Sequence, residues 1–280
     1  MTDFGVIDTK TILKLPRKVQ IMLITLCVAI LLLTVAGCTT KYDFGKATLD
    51  EPSAAAETDQ ETVEEIPPTE PDIVHPVDAS WFNDMAIVGD SVTVMLEYYC
   101  DNDPDALGDA MFYCAGSLGY GNSQWDIDDE NAVHPVYHGE VHLVEDVIPV
   151  TGANKVLITL GMNDIGNYGV EGAFDQAQSL IEKVRAKGPD AVIYIESTTP
   201  MISSAQRETL NNENIRIFNG MLKDYVESQG DGYKYLDFYS VIADENGNLP
   251  EEYCSDVDYM GIHFTTDACE KWVEFLKNNV

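Results

Sequence analysis

The sequence predicts an α/β fold: a three-layer α/β/α sandwich around a parallel sheet of about five strands. Short apolar runs rich in Val and Ile recur between turn residues. Longer segments with apolar residues at helical spacing separate them. The two kinds alternate regularly over roughly 200 residues, the size of a single α/β core.

The elements follow in order. Ala86 to Val88 reads as the first strand and Val92 to Tyr99 as a helix, with a second strand from Ala110 to Tyr113. Glu140 to Val150 places Val141, Val144 and Ile148 on one helical face. Lys155 to Leu160 is a buried strand, followed by a helix over about 170–187. After the Gly188-Pro189-Asp190 turn comes a strand from Ala191 to Ile195, a long helix from Leu210 to Ser228, and a strand from Tyr233 to Phe238. A helix from Thr266 to Lys277 closes the chain. A parallel sheet covered on both faces puts its site at the carboxyl ends of the strands.

Three polar groups fall at that edge. Ser91, in Gly89-Asp90-Ser91, stands where an apolar strand meets a helix. A hydroxyl on such a turn projects clear of both elements, beside the N–H groups of the helix start. Asn163, in Gly161-Met162-Asn163-Asp164, brings an amide donor to the end of a second strand, and His263 brings an imidazole just ahead of the last helix. A serine, an amide and a histidine form an acyl-transfer kit of nucleophile, oxyanion donor and general base. Alone, Gly-Asp-Ser is also an ordinary helix cap, and N-capping or loop bracing is the default role for Asp90 and Asp164.

From these blocks, residues 79–280 resemble the SGNH, or GDSL-type, hydrolases, serine esterases with a flavodoxin-like sheet. The resemblance implies Ser91 as nucleophile and His263 as base, with an oxyanion hole from Ser91 N–H, the Asn163 amide and a glycine. That glycine is best matched by Gly119, with Gly116 as the alternative register. It also implies no cofactor and no metal, and a short acyl group, with acetyl on a carbohydrate as the leading substrate. The family usually carries an aspartate three residues before the histidine, and Met260 stands there. Asp258 is the favoured replacement, with Asp256 or a backbone carbonyl as alternatives.

The remaining features bear on location. Lys10, Lys14, Arg17 and Lys18 precede an apolar run from Ile21 to Val35 that ends in Val35-Ala36-Gly37-Cys38. This reads as a secretory signal over 1–37, and the small residues before a cysteine resemble a bacterial lipobox with lipid attachment at Cys38. The alternative is an uncleaved single-span anchor. Both place the catalytic domain on the extracellular face of the membrane. Residues 38–78, rich in Ala, Glu, Asp, Thr and Pro, read as an acidic disordered tether.

The formal net charge is −32; the four basic and two acidic side chains ahead of Cys38 contribute +2, leaving −34 for the rest. Such a surface repels phosphate backbones, so nucleic acid is excluded as a partner. Neutral or acylated glycans are compatible with it. Cys100, Cys114, Cys254 and Cys269 form an even set in an exported domain, and sequence proximity favours the pairs Cys100–Cys114 and Cys254–Cys269.

His134, His138 and His142 are spaced by four, yet Pro135 and Gly139 break the helix a metal site would need. The segment 121–139, with Trp125, His134 and Tyr137, reads as a lid or substrate loop, or as ordinary packing. Thr198 to Met201 ends a strand at the site's edge. Two rivals to an esterase stand: an O-acyltransferase using the same acyl-enzyme, and a non-catalytic glycan-binding lipoprotein that has lost its acid.

Overall fold

The computed structural model describes residues 76–280 of the chain. The signal segment, Cys38 and the tether as far as residue 75 lie outside the described residues. Among the described residues no helix is long and apolar enough to cross a membrane.

The chain runs β1 (Met85–Gly89), α1 (Ser91–Asn102), β2 (Met111–Cys114), the hairpin β3 (Val136–Tyr137) and β4 (Glu140–Val141), and α2 (Val147–Thr151). It continues with β5 (Lys155–Thr159), α3 (Met162–Lys187), β6 (Val192–Glu196), α4 (Asn212–Ser228), β7 (Tyr233–Leu236), α5 (Tyr239–Ile242) and α6 (Thr266–Asn279). The five long strands form one sheet in the order β2-β1-β5-β6-β7, every pair parallel. This is the flavodoxin-like arrangement, in which the order reverses between β1 and β5. A crevice opens outside the carboxyl ends of strands at such a switch point. Ser91 follows β1 and Asn163 follows β5, so the topology brings them to one place.

Burial on both faces explains the strand sequences. In β1, Ala86 and Val88 join the core under α3 and α4, while Met85 and Ile87 join the core under α1 and α6. A strand covered on both sides has no polar face, which is why these runs are continuously apolar. The second core contains Trp272 of α6, stacked on Phe238 with ring centroids 5.4 Å apart and edge-on to Phe264 at 5.6 Å. Phe264 is the neighbour of His263, so this aromatic cluster anchors the segment that carries the imidazole.

The structure revises several expected elements. Glu140 to Val150 is not one helix: β4 is followed by a 3-10 turn (Val144–Asp146) and the short α2. His138 (φ 52°) and Gly139 (φ 84°) form a tight turn joining β3 to β4, a backbone shape that a helix cannot pass through. Val144 and Val147 are still buried, so the apolar spacing marked the core face but not the element. The three histidines therefore share no helix, and His142 stacks on Tyr113 at 6.1 Å. Among the described residues no group of three or more His, Cys, Asp or Glu is disposed to hold a metal. Helix α3 starts eight residues earlier than expected and is interrupted at Gly169 (φ 71°, ψ −179°), a conformation suited to glycine.

Glu196, at the carboxyl end of β6, is fully buried, and neither carboxyl oxygen has a hydrogen-bond partner. Burial pushes its carboxyl up to about 8, and the adjacent Trp272 offsets only part of that rise. The folded state then holds a proton that the unfolded chain releases near the ordinary carboxylate range. This group's contribution to stability accordingly falls as pH rises from about 5 to 8. Glu196→Gln, a neutral isostere, is expected to leave stability at pH 5 nearly unchanged and to raise it by about 1–3 kcal/mol at pH 8. Urea unfolding at the two pH values checks this; an equal effect at both would refute the assignment.

Candidate active site

Ser91 is the first residue of α1. Gly89 ends β1 with no side chain because a Cβ there would collide with Thr93 in the first turn of the helix. Asp90 is the N-cap, extended at φ −93°, and its Oδ1 accepts from Val92 N–H at 2.9 Å. The serine is thus held at a strand-to-helix corner by a close backbone approach and a cap. Its Oγ lies 3.0 Å from His263 Nε2.

The other imidazole nitrogen identifies the acid. His263 Nδ1 lies 2.7 Å from Asp256 Oδ2, not against Asp258, whose side chain is exposed. The expectation for Asp258 is corrected, and the reason is the fold of the loop. Tyr259 N–H and Gly261 N–H both donate to the Asp256 carbonyl, and Asp256 Oδ1 accepts from the backbone N–H groups of Ile262 and His263, each at 3.0 Å. The chain folds back around Asp256, so a residue seven positions before the histidine reaches its ring while Asp258 is turned outward. Gly261 (φ 69°) makes that turn. Burial alone would raise the Asp256 carboxyl; the hydrogen bonds from the His263 ring and backbone, Cys254 and Ile262 outweigh it and hold it at about 2. An ionised carboxylate here fixes the imidazole with Nδ1 protonated and Nε2 free to accept from Ser91.

The oxyanion side differs from the sequence expectation in one respect. Asn163 Nδ2 donates to Leu118 O at 2.9 Å and lies 3.4 Å from Asp90 Oδ2, which places the amide beside the nucleophile's corner. Gly119 N–H, however, donates to Asn122 Oδ1 at 2.8 Å, and so does not share a focus with Asn163. A Cβ on Gly116 would meet nothing within 4 Å. Asp164 braces the same loop: its carboxylate accepts from Tyr120 N–H and Gly121 N–H, both at 2.8 Å. Burial pushes Asp90 and Asp164 each up to about 6, against the backbone donors that pull them down.

Polar residues with no motif complete the frame. Asn219 pairs with both the N–H and the C=O of Thr198, and Asn212 does the same for Met201. These two buried amides shape the segment after β6, and Thr198 Oγ1 in turn bonds Leu160 O at 2.7 Å. The only signal in the sequence was an asparagine on the buried face of a helix. In the 121–139 segment, Tyr137 packs on Tyr113, Gln124 is tied to α3 through Gln176 and Ser179, and Trp125 is exposed. All four described cysteines are free thiols: Cys114 donates to Glu97 and Cys254 to Asp256, so the expected pairs are not formed.

Comparison with known proteins bears on the fold and the family. No curated protein matches the sequence. Among solved structures, the fold is similar to a GDSL-like lipase from Bacteroides thetaiotaomicron, at 16% identity and TM-score 0.51, covering 70% of this chain and 86% of that one. A protein assigned as an acylhydrolase from Bacteroides fragilis is similar at 18% identity and TM-score 0.50, over 69% of this chain and 84% of that one. The family model of GDSL-like lipases and acylhydrolases matches residues 87–270, a span that contains Ser91, Asn163, Asp256 and His263. The chain belongs to the GDSL-like lipase/acylhydrolase family.

Proposed function

We propose that the chain is a serine esterase that removes short acyl groups, acetyl foremost, from a carbohydrate or similar ester, and that it acts outside the cell on a lipid anchor at Cys38. The observation that carries the chemistry is the continuous relay from Asp256 through His263 to Ser91, with links of 2.7 and 3.0 Å.

In this reading Ser91 Oγ attacks the ester carbonyl as His263 Nε2 takes its proton. Asp256 stabilises the imidazolium that forms. Ser91 N–H and the Asn163 amide face the developing oxyanion. The tetrahedral intermediate collapses as Nε2 returns the proton to the leaving alcohol oxygen, giving an acyl-Ser91 ester. Water then attacks with His263 again as base, releasing the carboxylic acid and the free serine. A non-catalytic reading rested on the missing acid at position 260, and Asp256 removes that ground. The acidic surface is compatible with a neutral acylated glycan.

Using a chromogenic acetyl ester, Ser91→Ala is expected to abolish turnover with melting unchanged, and Asn163→Ala to lower kcat by about 10²–10³-fold. Undiminished turnover in the Ser91 variant would move the chemistry elsewhere. Asp256→Asn should lower kcat by about 10⁴-fold, as the wrong tautomer is then favoured, while Asp258→Asn should stay within about twofold, as for an exposed side chain away from the relay. The reverse ranking in steady-state kinetics would contradict the relay. For the anchor, Cys38→Ala is expected to abolish lipid labelling and release the protein from membranes; continued membrane retention would support a spanning segment instead.

A further inference from the structure

We propose that Asn122 is a positioning residue that latches the oxyanion loop, its amide oxygen occupying the Gly119 N–H that a substrate oxyanion would otherwise take. The proposal rests on the esterase reading above. Its basis is an account of where the loop's donors go. Leu118 N–H donates to Ala115 O, Gly119 N–H to Asn122 Oδ1 at 2.8 Å, and Tyr120 and Gly121 N–H to Asp164. Asn122 closes the ring from its other end, donating Nδ2–H to Ser117 O at 2.9 Å. Ser117 is held at φ 63°, a left-handed conformation a serine adopts only when its surroundings impose it.

Peptide geometry gives this latch a consequence for catalysis. In a trans peptide the C=O and the following N–H point in opposite directions, and no peptide in the described chain is cis. Asn163 takes the carbonyl of the Leu118–Gly119 peptide. The N–H of that same peptide therefore points away from Asn163, toward Asn122. A shared focus for the Asn163 amide and Gly119 N–H requires Asn122 to let go and this one peptide to turn over. The frame permits such a local motion. Asp164 holds the next two residues, and Gly119 lacks the Cβ that would strike the Asp164 carboxylate at 2.9 Å. Asn122 thus competes with the substrate's carbonyl oxygen for the same donor, and substrate binding must displace it.

The strength of a neutral hydrogen bond sets the scale, about three- to tenfold in an equilibrium. Two variants separate competition from simple bracing. Asn122→Ala removes the competitor and is expected to raise kcat/KM for a chromogenic acetyl ester by about three- to tenfold. Asn122→Asp gives up the Nδ2–H donated to Ser117 O but keeps the acceptor for Gly119 N–H and strengthens it with a charge, so at pH 8 it should lower kcat/KM by a similar factor. If Asn122 only braces the loop, the ranking inverts: Ala loses activity and Asp retains it, and that result overturns the latch. Turnover by the wild-type chain is measured in the same assay. An inert wild type would defeat the esterase reading, whereas an active wild type with the inverted ranking would defeat the latch alone.

Discussion

The Asp256 carboxylate accepts five hydrogen bonds, from the backbone N–H groups of Met260, Ile262 and His263, from the Cys254 thiol and from the His263 ring. One group thereby folds the loop and aims the base. The His263 ring, together with the Cys254 thiol and the backbone donors, holds the carboxyl at about 2, so the acid is ionised at neutral pH. Loop conformation, tautomer and electrostatic support for the imidazolium are thus one interaction, and the position of His263 relative to Ser91 depends on it. Phe264, packed on Phe238 and Trp272, fixes the chain on the other side of the histidine.

The parallel sheet supplies the rest of the alignment. Because the strand order reverses between β1 and β5, the residues that follow these strands meet at one crevice. Buried polar groups then convert an approximate juxtaposition into a defined one. Asp90 caps α1, Asp164 holds the loop after β2, and Asn212 and Asn219 hold the loop after β6. Each is an acceptor or amide in a largely water-free frame, where an unmade hydrogen bond is costly. That cost opposes any rearrangement that leaves one of these groups unpaired.

Much of this was legible in the sequence, for identifiable reasons. Strand positions declared themselves because burial on both faces demands continuous apolar runs, and Ser91, Asn163 and His263 because each sits directly at a strand end or helix start. The acid was misplaced because spacing to a histidine is a statement about a straight loop. The turn at Gly261 and the two bonds to the Asp256 carbonyl bring a residue seven positions away into the role. Glu140 to Val150 misled in another way, since apolar residues at helical spacing also suit a hairpin followed by a short helix. Gly119 was reached through the family resemblance, but the direction of its N–H depends on Asn122, a residue with no pattern to announce it. Roles set by one side chain folding back on a neighbouring backbone leave little periodic trace.

The central claim is that Ser91 is activated by His263 held on Asp256. Covalent labelling tests it most directly, by treating the described domain with a sulfonyl fluoride and following the adduct by intact mass and peptide mapping. The account predicts one adduct per chain, on Ser91, formed at a rate that collapses in His263→Ala and falls strongly in Asp256→Asn. Labelling of Ser91 at an undiminished rate in either variant, or an adduct at another residue, would contradict it.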